Sequence, residues 1–379
     1  MQQMAQGWVL AGLATNTFTL GLVNFASGVP ILMLTMFGGI VADRFEKKWI
    51  LFLTQIAQAA LAIVIGILVA QHRIEVWHII LAGMCLGIVV AFEMPAASAL
   101  VPELVEPEQL SAAIALDRSV FHATRLAGPA IAGWLIAAYG QASAFFANSL
   151  SYVALMIALV SVRPRPRRAT QESEGTITMR QGVDYVRGDR PTKAMISLLA
   201  ISTVCVSPFF LVLMPVYSQR ILHIGPGEHG MLMASAGVGA FSGSMWLLSI
   251  SPRHRQAYLR GAVAMVTVAM LGLANARGLG SAIAAMIVLT LGSSTVFGLP
   301  NTIVQERAPD EIRGRVSAIF GLSFSGVMPF AGLLVAKISD LVGVRTAIGS
   351  AALIYGIAAT SLLQAHYRSA SSEAKMESI

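Results

Sequence analysis

Charge is scarce in this chain. Only 12% of its 379 residues are Asp, Glu, Lys or Arg, about half the ~25% of an ordinary soluble protein. So few charges cannot keep a large surface in water, which excludes a soluble enzyme, a disordered tail and a fibrous protein. Cysteine is scarce too. Cys85 and Cys205 both lie inside apolar runs, which excludes a disulfide framework and predicts two buried thiols. No Gly-x-x-x-x-Gly-Lys-Ser/Thr run occurs, so ATP is not bound through a phosphate-cradling loop. His72, His78, His122, His223, His229, His254 and His366 are scattered without metal-ligand spacing, and no metal or other cofactor is expected. The start, Met1-Gln2-Gln3-Met4, has no basic region ahead of an apolar one, so no cleavable signal peptide is expected.

What the chain has is hydrophobicity: 56% of its residues, with a mean hydropathy of +0.71. Apolar runs long enough to cross a ~30 Å hydrocarbon core fall near 18–42, 49–70, 76–98, 112–138, 143–162, 195–218, 229–250, 257–275, 280–303, 315–336 and 344–364. Residues 1–14 are apolar but too short. At ~1.5 Å per residue they cover about 21 Å. They are expected to be the second half of a first helix whose beginning lies upstream or has been lost. The reading is an all-α membrane protein of twelve helices with the first incomplete.

The loops orient it. Of 26 Lys and Arg, five (Arg73, Arg220, Arg277, Lys337 and Arg345) fall on one side, two (Arg118 and Arg125) lie inside the fifth helix, and the other 19 fall on the opposite side. Lys and Arg accumulate in cytoplasmic loops, so both ends are expected inside the cell, in a bacterial inner or plasma membrane. The same loops account for the net charge of +7 without nucleic acid as a partner.

Internal matches divide the chain in two. Pro95 recurs as Pro300, Pro107 as Pro309, Pro129 as Pro329 and Gly133 as Gly332, at offsets of 205, 202, 200 and 199 residues. Span n therefore resembles span n+6, a parallel repeat of six plus six. The expected organisation is an N-terminal bundle over 1–162, a cytoplasmic linker over 163–194, a C-terminal bundle over 195–364 and a cytoplasmic tail over 365–379. The linker opens on Arg163-Pro-Arg-Pro-Arg-Arg168, and residues 178–190 are expected to form a short helix lying at the cytoplasmic surface. Gly83-x-x-x-Gly87 and Gly239-x-x-x-Gly243 read as sites of close helix packing.

Between the second and third spans stands Gly38-Gly39-Ile-Val-Ala-Asp43-Arg44-Phe-Glu-Lys47-Lys48. Gly39 would let helices approach closely. Asp43 can sit against the positive N-terminus of another helix. Arg44, Lys47 and Lys48 can meet carboxylates or anionic lipid headgroups. This loop resembles the signature of the major facilitator superfamily, except that Glu46 replaces the usual Gly, so a looser turn is expected. Ala5-Gln6-Gly7-Trp8, Leu20-Gly21-Leu22-Val23, Gly128-Pro129-Ala130 and Pro309 to Val316 resemble the branch that includes the enterobactin exporter and macrolide efflux proteins. The resemblance implies two six-helix pseudo-repeats, a conformational latch at Gly39, Asp43, Arg44, Lys47 and Lys48, and a fifth-helix hinge at Gly128, Pro129 and Gly133. It also implies export of a small organic molecule, siderophore or drug-like, rather than enzymatic chemistry. A nutrient importer of the same fold, and a membrane sensor or assembly protein that transports nothing, are the alternatives.

Charged side chains within spans cost ~2.5–3.5 kcal/mol each on insertion scales and are functional candidates. Glu93 lies in the fourth span; Asp117, Arg118 and Arg125 lie on the fifth. Arg125 with Glu93 or Asp117 is expected to form a polar centre coupling protons to substrate release; for Asp117 and Arg118 a structural pair near the interface is the alternative. Asn148 and Asn301 could contact substrate or serve as polar links between helices. His122 is the histidine deepest in a span and a candidate relay. The expected partners are a small-molecule substrate, protons and membrane lipids, with the chain acting as a monomer.

Overall fold

The computed structural model describes residues 1–161, 179–251 and 254–376. Arg163–Arg168 and the start of the 178–190 helix lie outside them. The described residues are almost entirely helical, with no strand among them. The main helices are α1 (Gln2–Leu13), α2 (Phe18–Arg44), α3 (Lys47–Ala70), α4 (Val76–Leu104), α5 (Leu110–Tyr139), α6 (Gln141–Ser161), α7 (Met179–Gly188), α8 (Arg190–Cys205), α9 (Met214–Val216), α10 (Pro226–Leu248), α11 (Arg255–Asn275), α12 (Leu279–Arg307), α13 (Arg313–Ser325), α14 (Met328–Val342) and α15 (Val344–Met376). Nine helical segments among the described residues are long and apolar enough to cross a membrane. The surface is inverted relative to a soluble protein: Met33, Met36, Trp49, Leu150 and Ile357 are exposed, while Gln55, Gln58 and Asn148 are buried. Lipid tails solvate the exposed apolar side chains, and the polar ones turn inward.

Two predicted spans are broken. The 195–218 run ends its α-helix at Cys205, then passes through wide π turns at Phe209–Leu213 and Tyr217–Ile221 on either side of α9. The 315–336 run breaks between Ser325 and Met328, where Pro329 begins a new helix instead of continuing the old one. Proline at the first turn loses no hydrogen bond, because that N–H has no partner within the helix anyway.

The chain divides into two compact units. The first holds Met1–Ser173 and Val212–Ala234, the second Glu174–Leu211 and Ser235–Ile379. Within each, one helix pair is pressed together backbone to backbone. In the first unit, a Cβ at Gly87 of α4 would lie 2.2 Å from the Ser27 carbonyl oxygen of α2; in the second, one at Gly239 of α10 would lie 2.3 Å from the Ile287 oxygen of α12. Apolar burial drives little helix association inside lipid, so such close approach carries the packing. The repeat also shows at the turns. Gly140 after α5 and Gly343 after α14, 203 residues apart, both adopt φ +84°, a conformation open chiefly to glycine.

Only Phe45 and Glu46 separate α2 from α3, and Glu46 starts α3 in an extended conformation (φ −63°). The turn is tight without the glycine whose absence suggested loosening. The close approach is made by Gly38, whose Cβ would meet the Ala91 carbonyl at 2.2 Å; nothing lies within 4 Å of a Cβ at Gly39.

Candidate functional site

The first unit carries a polar network inside its helices. Glu93 sits on α4 just ahead of Pro95. Its carboxylate accepts from two amides of α3: Gln55 Nε2 to Oε1 at 2.8 Å and Gln58 Nε2 to Oε2 at 2.7 Å. Gln55 and Gln58 are three residues apart and so share a helix face; they are 1% and 6% exposed, and Glu93 is half-buried. Tyr152 lies on α6. Its hydroxyl donates to Gln2 Oε1 of α1 at 3.1 Å, and Asn148 Nδ2 donates to the same oxygen at 2.9 Å. Polar contacts thus join two helix pairs, α3 to α4 at Glu93 and α1 to α6 at Gln2. Gln2 Nε2 and Gln55 Oε1 are buried without a hydrogen-bond partner among the described residues, as is Gln6 Nε2 one turn along α1.

Of the residues singled out from sequence, Glu93 and Asn148 belong to this network. Asp117 and Arg125 lie on α5 with exposed side chains. The side chains of Arg118 and His122 are outside the described residues. Asn301 lies in the second unit, where its Oδ1 accepts from Gln305 Nε2 at 3.0 Å. It lines a cavity of about 440 Å³ with Thr302, Gln305, Glu306 and Arg313. The helix-five glycine Gly133 packs on Gly230 of α10, where an added Cβ would lie 2.8 Å from the Gly230 Cα.

At the loop between α2 and α3, Lys47 pairs with Glu103 at 2.9 Å, with side chains 12% and 11% exposed. Lys48 Nζ donates to the Val160 carbonyl at 3.0 Å. Asp43 and Arg44 are exposed.

The second unit has a contrasting cluster. Asp189 caps the start of α8, accepting from the Thr192 backbone N–H at 3.0 Å. Arg307 reaches it with Nη2 at 2.8 Å and Nε at 3.1 Å. Partial burial by itself would raise the Asp189 pKa, but hydrogen bonds from Arg307 and Thr192 outweigh it and hold the group at about 2.

Sequence reasoning passed over Gln2, Gln55, Gln58 and Tyr152. The signal for the pair on α3 was two glutamines at helical spacing within a run otherwise almost wholly apolar.

Comparison with known proteins agrees with this architecture. The pattern of one family, described as transmembrane secretion effector, matches residues 1–378. The chain is 22% identical to the staphyloferrin A transporter of Staphylococcus aureus, covering 90% of this chain and 86% of that protein. It is 23% identical to macrolide efflux protein A of Streptococcus pyogenes, covering 88% and 84%. Among solved structures, a bacterial homologue of the human lysosomal transporter Spinster, in an inward-facing and unoccupied conformation, superposes with a TM-score of 0.73. That likeness covers 96% of this chain and 94% of the other at 15% identity. With its helical architecture and its apolar surface, the chain is a multi-pass membrane protein with the major facilitator fold. It belongs to the transmembrane secretion effector family of major facilitator transporters.

Proposed function

We propose that this transporter exports a small organic molecule by proton antiport with alternating access, and that Glu93 carries the proton. The observation behind this is the cradle of neutral amides around a carboxylate inside the membrane. A carboxylate balanced by an arginine is held ionised. Glu93 accepts its hydrogen bonds from Gln55 and Gln58, which are donors in one orientation and acceptors in the other. Once protonated, the acid can donate to Gln55 Oε1 after that amide turns over. Both protonation states are therefore satisfied without stranding a cation.

The six-plus-six organisation read from the sequence, with bundles over 1–162 and 195–364, is the arrangement we assign to alternating access. We assign the Lys- and Arg-rich loops and both chain ends to the cytoplasm of a bacterial inner membrane, and a monomer as the working unit. Asp43 is the latch residue, with Arg44 toward headgroups. Gly128, Pro129 and Gly133 form the hinge. Asp117 and Arg125 line the substrate path, and Asn148 steadies the Gln2 end of the network. The macrolide and siderophore relatives supply the first substrates to try.

Flux in proteoliposomes tests the reading. Glu93→Gln is expected to lose transport driven by a pH gradient while still binding substrate. Full proton-driven flux in that variant would remove Glu93 from the mechanism. Flux indifferent to any pH gradient in the unaltered protein would remove proton antiport itself.

A further inference from the structure

A second buried titratable group in the first unit is not used by the Glu93 network. His229 lies in the first turn of α10 and is 0% exposed. Its Nδ1 is 2.7 Å from Ser218 Oγ, in the π turn Tyr217–Ile221. Its ring packs on Trp8 of α1, with centroids 5.2 Å apart and planes tilted by 35°. Its Nε2 is buried and has no hydrogen-bond partner among the described residues. One imidazole thus joins three segments: α1, the π turn and α10.

Among the described residues, the segments packed on the ring bring one carboxylate near it, the adjacent Glu228. Helix α1 has no charged side chain. The stretch of α5 from Gly128 to Tyr139 has none either, Tyr139 being its titratable residue. In the segment leading to α10, Tyr217 is buried, His223 follows the π turn, and Arg220 is committed to α1. Its guanidinium donates to the carbonyl oxygens of Ala11 and Ala14, ending that helix. On α10 itself, Glu228 accepts from the Gly225 backbone N–H at 2.9 Å.

A second proton on the His229 ring would place a charge, with one N–H unpaired, among apolar side chains. The Trp8 face returns part of that through a cation–π contact, less than the solvation a charged ring gains in water. The packing of Gly133 on Gly230, one residue along from His229, leaves the charged ring no room to adjust without separating the helices. Wide π turns, which mark functional sites in helices, supply a compliant neighbour.

We propose that His229 is a proton-binding group whose charging releases the packing of α1 against the start of α10. This rests on the orientation and proton-antiport reading above, in which this end of the unit faces the outside. A proton arriving from outside would then open that end before another is taken up at Glu93.

The test uses the full chain in lipid nanodiscs, with Cys85→Ala and Cys205→Ala removing the native thiols. Spin labels are attached at Leu13→Cys and Met231→Cys, both exposed positions of the same unit. The label separation is read at about pH 8 and about pH 5, the range in which imidazole changes charge. The proposal expects a longer separation whose population rises several-fold at the lower pH. His229→Gln should abolish this rise and Glu93→Gln should keep it. A rise that survives in His229→Gln, or no rise in the otherwise unaltered chain, overturns the proposal. If the glutamine variant does not fold, Ser218→Ala decides. Without the hydroxyl that holds the ring in the packed state, the opening should move to higher pH, and an unmoved midpoint contradicts the assignment. Loss of the rise in Glu93→Gln with retention in His229→Gln would assign the response to Glu93 and overturn the role of His229. Failure of proton-driven flux in the unaltered protein would count against the transport reading alone.

Discussion

Glu93 and Asp189 are both carboxylates held by donors from a neighbouring helix, and those donors differ in charge. Asp189 accepts from a guanidinium and a helix N-terminal amide, and its pKa of about 2 fixes it as an anion. It can clamp α8 to α12, and it cannot trade protons near neutral pH. Glu93 accepts from two glutamine amides, which carry no charge to lose when a proton arrives. On the proposed reading, the pairing chemistry, more than depth, separates a structural carboxylate from one that exchanges protons.

The largest effect that could break this contrast belongs to Glu93→Gln, expected to reduce pH-driven flux in proteoliposomes to background while Asp189→Asn retains most of it. Equal losses would erase the distinction. Next come Gln55→Leu and Gln58→Leu. Each removes a donor to a charged group, a loss of ~1.5–3 kcal/mol. Each should slow proton-driven flux about tenfold or more, with exchange down a substrate gradient less affected. Flux equal to that of the unaltered protein in both variants would mean the amide cradle is incidental. Asp43→Asn sharpens the comparison with an exposed carboxylate. Transport should slow by a smaller factor, with folded protein in the membrane little changed, and an unchanged rate would remove Asp43 from the mechanism.

The smallest effect is expected from Arg307→Met, at no more than about 1 kcal/mol because the guanidinium is partly exposed. Its pH dependence carries the information. Asp189 has its pKa lowered from 3.8 to about 2 on folding, so the pair stabilises fully above pH 3.8 and loses that contribution as pH falls through about 2. Thermal melts of the variant and the unaltered protein should differ at neutral pH and converge at the acid end of that window. A gap that stays constant would mean the pair does not hold Asp189 as described.

Much of the fold was legible because a membrane imposes a coarse rule: apolar runs of span length become helices. The offset prolines located the repeat, and Gly140 and Gly343 extend it in their backbone conformation. The breaks at Cys205 and at Ser325 were not legible, because hydropathy measures apolar content and is silent on whether a helix stays continuous past Pro208 or before Pro329. The site was legible in part. Glu93 declared itself by the expense of a charge in lipid, and Asn148 by its polarity. Depth along a helix says nothing about direction around it, so Asp117 and Arg125 on α5 looked equivalent to Glu93, although their side chains are exposed. The glutamines were overlooked because a neutral amide is only mildly out of place in a span, and its importance appears only when its partner is known.

The claim that Glu93 is the proton-exchanging carboxylate is tested most directly by infrared difference spectra of the protein in lipid, acidified against neutral. Acidification should add a protonated-carboxyl C=O component that persists in Asp189→Asn and is absent from Glu93→Gln. A band that remains in Glu93→Gln, or that disappears in Asp189→Asn, would contradict the account.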